Sequence, residues 1–467
     1  MASAGAAAVA PARFVRFSEV RPILTELAGR SAGPTRAALL PPELNTLNAQ
    51  DLERAWPRWI ERRDREIRAR LEQGDEDTLV NWMLFGTSFT SRPRAVLGAV
   101  ASDPNANQEL VLRRTIELIS GRIEDLLTAL AAPGNDERRL FARALLARKG
   151  IRFASAADRD AAREYLRTAV VRVANEQDAI DQELGATGGG DPRTEFVKRS
   201  QLFRTRGLSL DTSLAPNYAL ERALTEMKGR GVLGAGSVRR VAIVGPGLDF
   251  ADKDVGFDFY PQQTLQPFAV LDSLIRLGLA PATRDPRIVL LDISPRIIDH
   301  VSRARARAAN NIGYTLNLPL PKATPWVAEV RTYWSSFGDQ IGAAARAPAS
   351  KTAADLADVR AVRARPSTVQ RMEAMNVNIV TERLDGEAFD LVIATNVFIY
   401  YDALEQALAM ANTEAMLKPG GFLLANFSAP ELASLKLRPV DTTTTLYARA
   451  ATETIRDFIV WYQKHAE

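Results

Sequence analysis

The stretch Val241-Ala242-Ile243-Val244-Gly245-Pro246-Gly247 decides the fold. Four consecutive apolar residues bounded at once by Gly-Pro-Gly are too short for a helix and read as a strand buried on both faces. A strand that ends in Gly-x-Gly and feeds a helix brings bare backbone amides close to a ligand. Glycine is needed there because a Cβ would block the approach or the backbone dihedrals. The turn Val244-Gly245-Pro246-Gly247 is therefore the expected grip on an adenosine-type cofactor. In dinucleotide turns a third glycine three residues on lets a pyrophosphate sit on the helix N-terminus. Here that position is Phe250, so a pyrophosphate would meet an aromatic side chain.

Working outward, 288–291 is a second apolar run and ends in Asp292, 376–381 is a weaker third, 391–394 a fourth and 422–426 a fifth. Helical segments at 265–277, 294–309 and 403–417 lie between them. Strands alternating with helices predict a parallel sheet covered on both faces. The segments 443–449 and 458–463 follow without a long helix between them and predict an antiparallel hairpin at the sheet edge. Residues 312–371, with Trp326, Tyr333, Trp334 and Phe337, are too many for one crossover. They predict an insertion, partly helical, over one edge of the sheet, as a substrate lid or as decoration.

Upstream, 17–230 reads as helices, with apolar residues at helical spacing in 107–131 (Leu110, Ile116, Leu118, Ile123, Leu127 and others) and a highly charged amphipathic run at 50–73. Asn135 and Ser155 stand where N-caps are expected. Loops are expected at 188–192 and 231–236, with a short helix at 219–227 beside the domain that begins at Arg239. The expected division is a disordered tail over 1–16, a helical N-terminal domain over 17–205, and an α/β domain over 206–467 that carries the 312–371 insertion. The Ala-rich start lacks the basic and Leu-rich regions of an export signal and reads as a tail.

The chain has 467 residues, no cysteine and two histidines. That composition excludes disulfides, thiolate metal sites and a Cys nucleophile, and argues against a Ser-His-Asp triad or a multi-His metal site. His300 and His465 read as structural or solvated. Net charge is +4, with acids nearly matching bases, and no Lys/Arg run is interleaved with aromatics, so no nucleic-acid partner is expected. No apolar run approaches the roughly 20 residues that span a bilayer, so no membrane partner is expected either.

Asp292 ends the second strand about 45 residues after the glycine turn. A carboxylate there can accept hydrogen bonds from both vicinal hydroxyls of a ribose. The competing reading is an N-cap for the following helix; Ser294 can cap alone and leave Asp292 free. Thr395, Asn396, Tyr400 and Tyr401 lie at the end of the fourth strand, where ligands bind in open α/β sheets. The tyrosines have a competing reading as packing for the next helix.

The order VAIVGPG (241–247), IVLLDIS (288–294), FDLVIATNVFIYYD (389–402) and LKPGGFLLAN (417–426) resembles that of class I S-adenosylmethionine-dependent methyltransferases. The stretch NVFIYY (396–401) is also similar to the matching motif of chemotaxis-receptor methyltransferases, which likewise carry a helical N-terminal domain. The resemblance covers 239–467 without the insertion. It implies a Rossmann-like, mostly parallel sheet with an antiparallel last strand. It also implies S-adenosylmethionine as cofactor, with Gly245, Pro246, Gly247, Asp292, Ile293, Thr395 and Asn396 around it.

Asp249 stands where the family has its third glycine, and either faces the methionine ammonium or solvates the loop. The family's third strand ends in an acid near the adenine; Glu382 is the nearest candidate, with Asp385 competing. In the loop 249–263, Asp252, Asp254 and Asp258 lack a calcium-loop spacing and read as solvated, so no metal is expected. Phe257, Phe259, Tyr260, Gln262 and Gln263 either frame a substrate pocket or pack the loop on the helical domain. Asn396 and Tyr400 are the candidates for catalysis by orienting the acceptor.

The reading is methyl transfer to an unidentified small molecule or protein side chain. One alternative is an NAD(P)-dependent oxidoreductase, against which the missing third glycine and the Lys-Pro-Gly-Gly turn argue. Another is a non-catalytic module that binds an adenosyl ligand. A cytoplasmic location follows if S-adenosylmethionine is the cofactor.

Overall fold

The computed structural model describes residues 10–30, 39–95, 107–185, 207–208, 214–250, 257–281, 286–349, 355–429, 431–449 and 454–466. The N-terminal part runs β1 (Ala12–Phe14), α1 (Phe17–Arg30), α2 (Pro42–Asn45), α3 (Ala49–Phe85), α4 (Gln108–Ala131), α5 (Glu137–Arg148), α6 (Ala156–Gly185) and α7 (Ala215–Gly229). Next come β2 (Arg240–Val244), α8 (Gln266–Arg276), β3 (Arg287–Asp292), α9 (Pro295–Ala309), β4 (Tyr314–Pro321), α10 (Ala328–Ser336), β5 (Gly342–Ala345), β6 (Ala357–Ala364), α11 (Pro366–Val369), β7 (Met372–Asn376) and β8 (Glu382–Leu384). The chain closes with β9 (Phe389–Ala394), α12 (Ala403–Met416), β10 (Leu417–Ala425), β11 (Leu437–Arg449) and β12 (Thr454–Lys464).

Seven strands form the central sheet in the order β11-β12-β10-β9-β2-β3-β7. From β10 through β9, β2 and β3 to β7 all pairings are parallel; β12 runs antiparallel to both β10 and β11. Strand order reverses between β2 and β9, so their C-terminal ends flank the crevice where ligands bind in such sheets. Continuous apolar runs are strands here because both faces are covered. Val241, Ile243, Ile288 and Leu290 face α7, α8 and α9. Ala242, Val244, Val289 and Leu291 face α1, the first half of α3, and α12.

The structure departs from several expectations. The third strand is Met372–Asn376 rather than 376–381. Residues 377–381 turn instead, because the Asn378 side-chain carbonyl accepts the Val380 N–H at 3.2 Å and the Thr381 N–H bonds to the Asn378 carbonyl. The insertion is mainly a three-stranded antiparallel sheet, β4-β6-β5, with one short helix of substance, α10. It covers a face and not an edge, since Leu316, Leu318, Leu320, Val330 and Tyr333 join the core over α7 and α8.

Ala12–Phe14, expected within the tail, pairs antiparallel with Glu382–Leu384; residues 1–9 lie outside the described residues. The helices do not separate cleanly at 205. Val20, Trp56, Trp59 and Ile67 share the sheet's core, whereas Leu79, Trp82 and Met83 build a second core with α4, α5 and α6. Asp136 caps α5 in place of Asn135, because its carboxylate accepts the Arg139 N–H at 2.9 Å. Ser155 Oγ does accept the Asp158 N–H. The 188–192 loop falls outside the described residues.

Candidate functional site

Gly245 and Gly247 both adopt left-handed backbone, with φ of 62° and 75°. The Gly245 N–H donates to the Leu291 carbonyl at 2.9 Å, tying the turn to β3. A Cβ on Gly245 would stand 2.7 Å from Val397 Cγ2, beyond the end of β9. Dihedral and space together therefore require glycine at this position. Pro246 between them is buried.

Across the turn, the Asp292 carboxylate is buried and Oδ1 accepts the Ser294 N–H at 2.7 Å. Ser294 makes no side-chain cap bond to α9. Neither side chain caps α9: Ser294 makes no cap bond, and the Asp292 carboxylate holds only the N–H of Ser294, the N-cap residue itself. Desolvation raises the Asp292 carboxyl to about 7, against which the backbone N–H groups of Ser294 and Ile293 act. Ile293 is half-buried beside it. A buried carboxylate at a strand end, held by backbone N–H groups, fits a ligand that brings hydroxyl donors.

At the neighbouring strand ends, Thr395 Oγ1 accepts Gln266 Nε2 at 2.7 Å. Asn396 has φ of 58°. Its N–H donates to Asn426 Oδ1 at 2.8 Å, and Asn426 Nδ2 donates to Asn396 Oδ1 at 2.6 Å. Tyr400 sits half-buried in a short 3-10 turn, and its carbonyl accepts Arg70 Nη1 at 2.8 Å. Tyr401 is core packing: it is buried among Phe398, Leu404 and their neighbours, and that burial pushes its phenol up.

Glu382 does not end the third strand. It lies in β8, where its carboxylate pairs with Arg68 at 2.8 Å and accepts the Asn378 N–H at 2.9 Å. The residue in register with Asp292 is Asn376, whose side-chain oxygen accepts Arg68 Nη1 at 2.6 Å. Asp385 pairs instead with Arg13 at 3.1 Å.

The described ends of the loop after the turn, 249–250 and 257–263, are packed rather than solvated. Asp249 is buried, and its carboxylate accepts the Tyr260 hydroxyl at 2.8 Å and Gln263 Nε2 at 3.1 Å. Gln263 also donates to the Asn317 carbonyl at 2.8 Å and accepts the Asn317 N–H at 2.7 Å, joining the loop to β4. Tyr260 and Gln263 thus hold Asp249 and the insertion in place. Phe250 turns away from the crevice into the helical core, edge-on to Trp82 and Phe141 with centroids 5.7 and 5.0 Å apart.

Asp258, expected to be solvated, is buried. It accepts the indole N–H of Trp82 and the backbone N–H and hydroxyl of both Thr87 and Ser88, at 2.6–3.1 Å. Asp252 and Asp254 lie outside the described residues. Among the described residues no group of three or more His, Cys, Asp and Glu side chains is arranged to hold a metal.

A cleft of about 580 Å³ opens between α3, α5 and the start of α9, lined by Leu71, Phe141, Leu248, Gln262, Ser294 and Arg296 among others. Gln262, one of the expected substrate residues, accepts Arg296 Nη2 at 3.2 Å. The Arg296 guanidinium lies 3.9 Å from the Phe141 ring centre and pairs with Asp75 at 2.9 Å. His300, at the cleft's floor, meets the Tyr314 hydroxyl at 2.7 Å, and that hydroxyl already accepts the Thr264 N–H. The hydroxyl thus bridges the imidazole and the Thr264 backbone. Burial and the nearby Arg303, Arg307 and Arg296 push His300 down to about 4, which agrees with its structural reading.

Reading the sequence missed the arginines of α3. Arg63 pairs with Asp402 and Glu405 at 3.0 and 2.8 Å, Arg68 with Glu382, and Arg70 with the Tyr400 carbonyl, so α3 lies over the ends of the third and fourth strands. A charged amphipathic run signals a solvated face, and nothing in it marks which arginines are inward. Gln266 lies in no motif, and Asn426, although it closes LKPGGFLLAN, carries no expected role. Among the described residues no helix is long and apolar enough to cross a membrane.

No protein-family model and no curated protein matches the chain. Among solved structures, an N-methyltransferase from Bradyrhizobium japonicum in complex with S-adenosyl-L-homocysteine is 12% identical, over 59% of this chain and 99% of that one, with a TM-score of 0.27. A magnesium protoporphyrin IX methyltransferase from Synechocystis with bound S-adenosylmethionine is 10% identical, over 59% and 98%, at 0.23. An O-methyltransferase family protein from Burkholderia thailandensis is 10% identical, over 78% and 100%, at 0.24. Overlaps this loose carry no weight of their own, and the fold is read from the chain's own sheet. Five parallel strands in the order β10-β9-β2-β3-β7, extended by the reversed β12 between β10 and β11, have the strand order and directions of the class I S-adenosylmethionine-dependent methyltransferase fold.

Proposed function

We propose that the protein binds S-adenosylmethionine over the ends of β2, β3 and β9 and transfers its methyl group to an acceptor that enters by the cleft between α3, α5 and α9. The observation that carries this reading is the buried Asp292 carboxylate across from the left-handed Gly245-Pro246-Gly247 turn. Two ribose hydroxyls donating to Asp292 would offset its desolvation, each bond contributing about 1.5–3 kcal/mol. Ile293 supplies an apolar contact beside it. A single-ribose ligand without a pyrophosphate suits a turn that lacks the third glycine. This favours S-adenosylmethionine over NAD(P).

The cofactor supplies an electrophilic methyl on a sulfonium. Bound there, it would offer that methyl to an acceptor's lone pair, with Gly245, Gly247 and Asp292 as the residues that would hold it. The chain's part is to hold the two in line and exclude water. Asn396, fixed by Asn426, and Tyr400 are the groups we assign to the acceptor side. A proton leaves the acceptor only if its nucleophilic atom carries one. A cleft of about 580 Å³ is of the size that takes small molecules, which favours a small acceptor over a protein side chain. The cytoplasm, where S-adenosylmethionine is made, is the location this reading carries.

The test is the melting temperature with S-adenosylhomocysteine, S-adenosylmethionine and NADH, each added alone. Stabilisation by the two adenosyl ligands and not by NADH is expected. Stabilisation by NADH alone would overturn the reading. Binding without methyl transfer to any acceptor in a small-molecule panel would favour the non-catalytic module.

A further inference from the structure

One buried arginine joins the α4–α6 helical layer to the glycine turn. We infer that Arg138 of α5 is a positioning residue that sets the cofactor turn from outside the α/β sheet, so that the helical layer is the second wall of the site. The inference rests on the proposed cofactor reading.

Arg138 is buried. Its Nε donates to the Phe250 carbonyl at 2.5 Å and its Nη1 to the Tyr260 carbonyl at 2.7 Å. Its guanidinium also lies against the rings of both residues, 5.6 and 6.0 Å from their centres. Those two carbonyls stand on opposite arms of one loop. Phe250 is three residues beyond Gly247, and Tyr260 is on the return arm that holds Asp249. The Asp249 N–H closes the loop onto the Gln263 carbonyl at 2.7 Å.

A guanidinium donates along two fixed directions at once, so Arg138 sets the spacing between the arms and, through Phe250, where the chain goes after Gly247. A buried arginine is an expensive way to pack a loop, since an apolar side chain fills space without desolvating a charge. Arg138 Nη2 is buried with no hydrogen-bond partner among the described residues. On the return arm Asp258 is fastened to Trp82 of α3 and to Thr87 and Ser88 just beyond it. The turn's amides and the Asp249 carboxylate are thereby positioned by α3 and α5 as well as by β2.

The test compares the full chain with Arg138→Lys and Arg138→Ala. Calorimetry measures affinity for S-adenosylhomocysteine, and amide hydrogen exchange measures protection at Asp249. Expected are an intact cooperative fold, faster exchange at Asp249, and affinity for the probe weaker by roughly tenfold to a hundredfold in Arg138→Ala. Arg138→Lys, with a single point donor, should recover part of that loss, and added methylguanidine should restore binding to Arg138→Ala. Wild-type affinity and wild-type protection in a folded Arg138→Ala would overturn the inference, as would recovery by neither lysine nor methylguanidine. Should Arg138→Ala fail to fold, Ser88→Ala, which removes one donor from Asp258, must weaken the probe, and unchanged affinity would overturn the inference. If the wild-type chain does not bind the probe at all, the cofactor reading fails, and exchange at Asp249 alone decides whether Arg138 pins the loop.

Discussion

Asn396 and Asn426 hold each other across the ends of β9 and β10: the Asn396 N–H and side-chain oxygen both bond to the Asn426 amide, at 2.8 and 2.6 Å. Asn396 keeps a left-handed backbone, φ 58°, in that grip. Asn tolerates this region better than most residues but still at some cost. Asn426→Ala removes both bonds and leaves the strained residue unsupported. We expect a loss of about 1–3 kcal/mol of stability, read as a lower melting temperature. An unchanged melt would mean the pair does not brace the strand end.

Gly245 faces two constraints that a double substitution separates. Gly245→Ala places a methyl at positive φ and against Val397, and should destabilise by about 1–3 kcal/mol. Val397→Ala in the same chain removes the clash and leaves the dihedral strain. Denaturant melts should therefore show partial recovery. Full recovery would mean that space alone demands glycine there.

Asp258→Ala strips the partner from Trp82 Nε1 and from the Thr87 and Ser88 N–H groups. Buried donors left unsatisfied are expensive, so the loss should reach about 3 kcal/mol or more. Asp258→Asn, which keeps one acceptor, should lose less. Equal losses in the two variants would argue against a hydrogen-bonding role.

The Asp292 carboxyl is raised from 3.8 to about 7 by burial. The folded, ligand-free protein therefore holds a proton there that the unfolded chain has already released. That contribution to stability is complete below pH 4 and is lost as pH rises through 7. Compared with Asp292→Asn, whose amide does not titrate, the ligand-free wild type should lose stability between about pH 4 and 7 and level off above. Parallel pH profiles for the two proteins would contradict it.

How much of this was legible in the sequence follows from where each signal is stored. Strands such as Val241–Val244 and Leu391–Ala394 announce themselves because both faces are buried and every residue is apolar. The closing hairpin is legible for the same reason at Val460 and Trp461. The third strand is hidden because Met372–Asn376 carries Glu373 and Asn376 at a sheet edge, whereas the more apolar Val377-Asn378-Ile379-Val380 bends around the Asn378 side chain. The insertion's strands are rich in Arg, Ala and Pro, which hides their pairing.

Site chemistry divides in the same way. Gly245, Gly247 and Asp292 are local to one turn and one strand end, so spacing predicts where they stand in the fold. The partners that fix Asp258 and Glu382 come from far along the chain, at Trp82 and Arg68, and only the fold brings them together; Asp249 is held within its own loop by Tyr260 and Gln263.

The central claim is that Asp292 and the glycine turn grip the ribose end of an adenosyl ligand. The most direct measurement is calorimetric titration of S-adenosylhomocysteine into the wild type and Asp292→Ala at pH 8, where the carboxylate is ionised. The account predicts that the wild type binds and that the variant, still folded, binds about 1–3 kcal/mol more weakly. Equal affinity in the two proteins would leave Asp292 as a brace for the Ser294 N–H and nothing more.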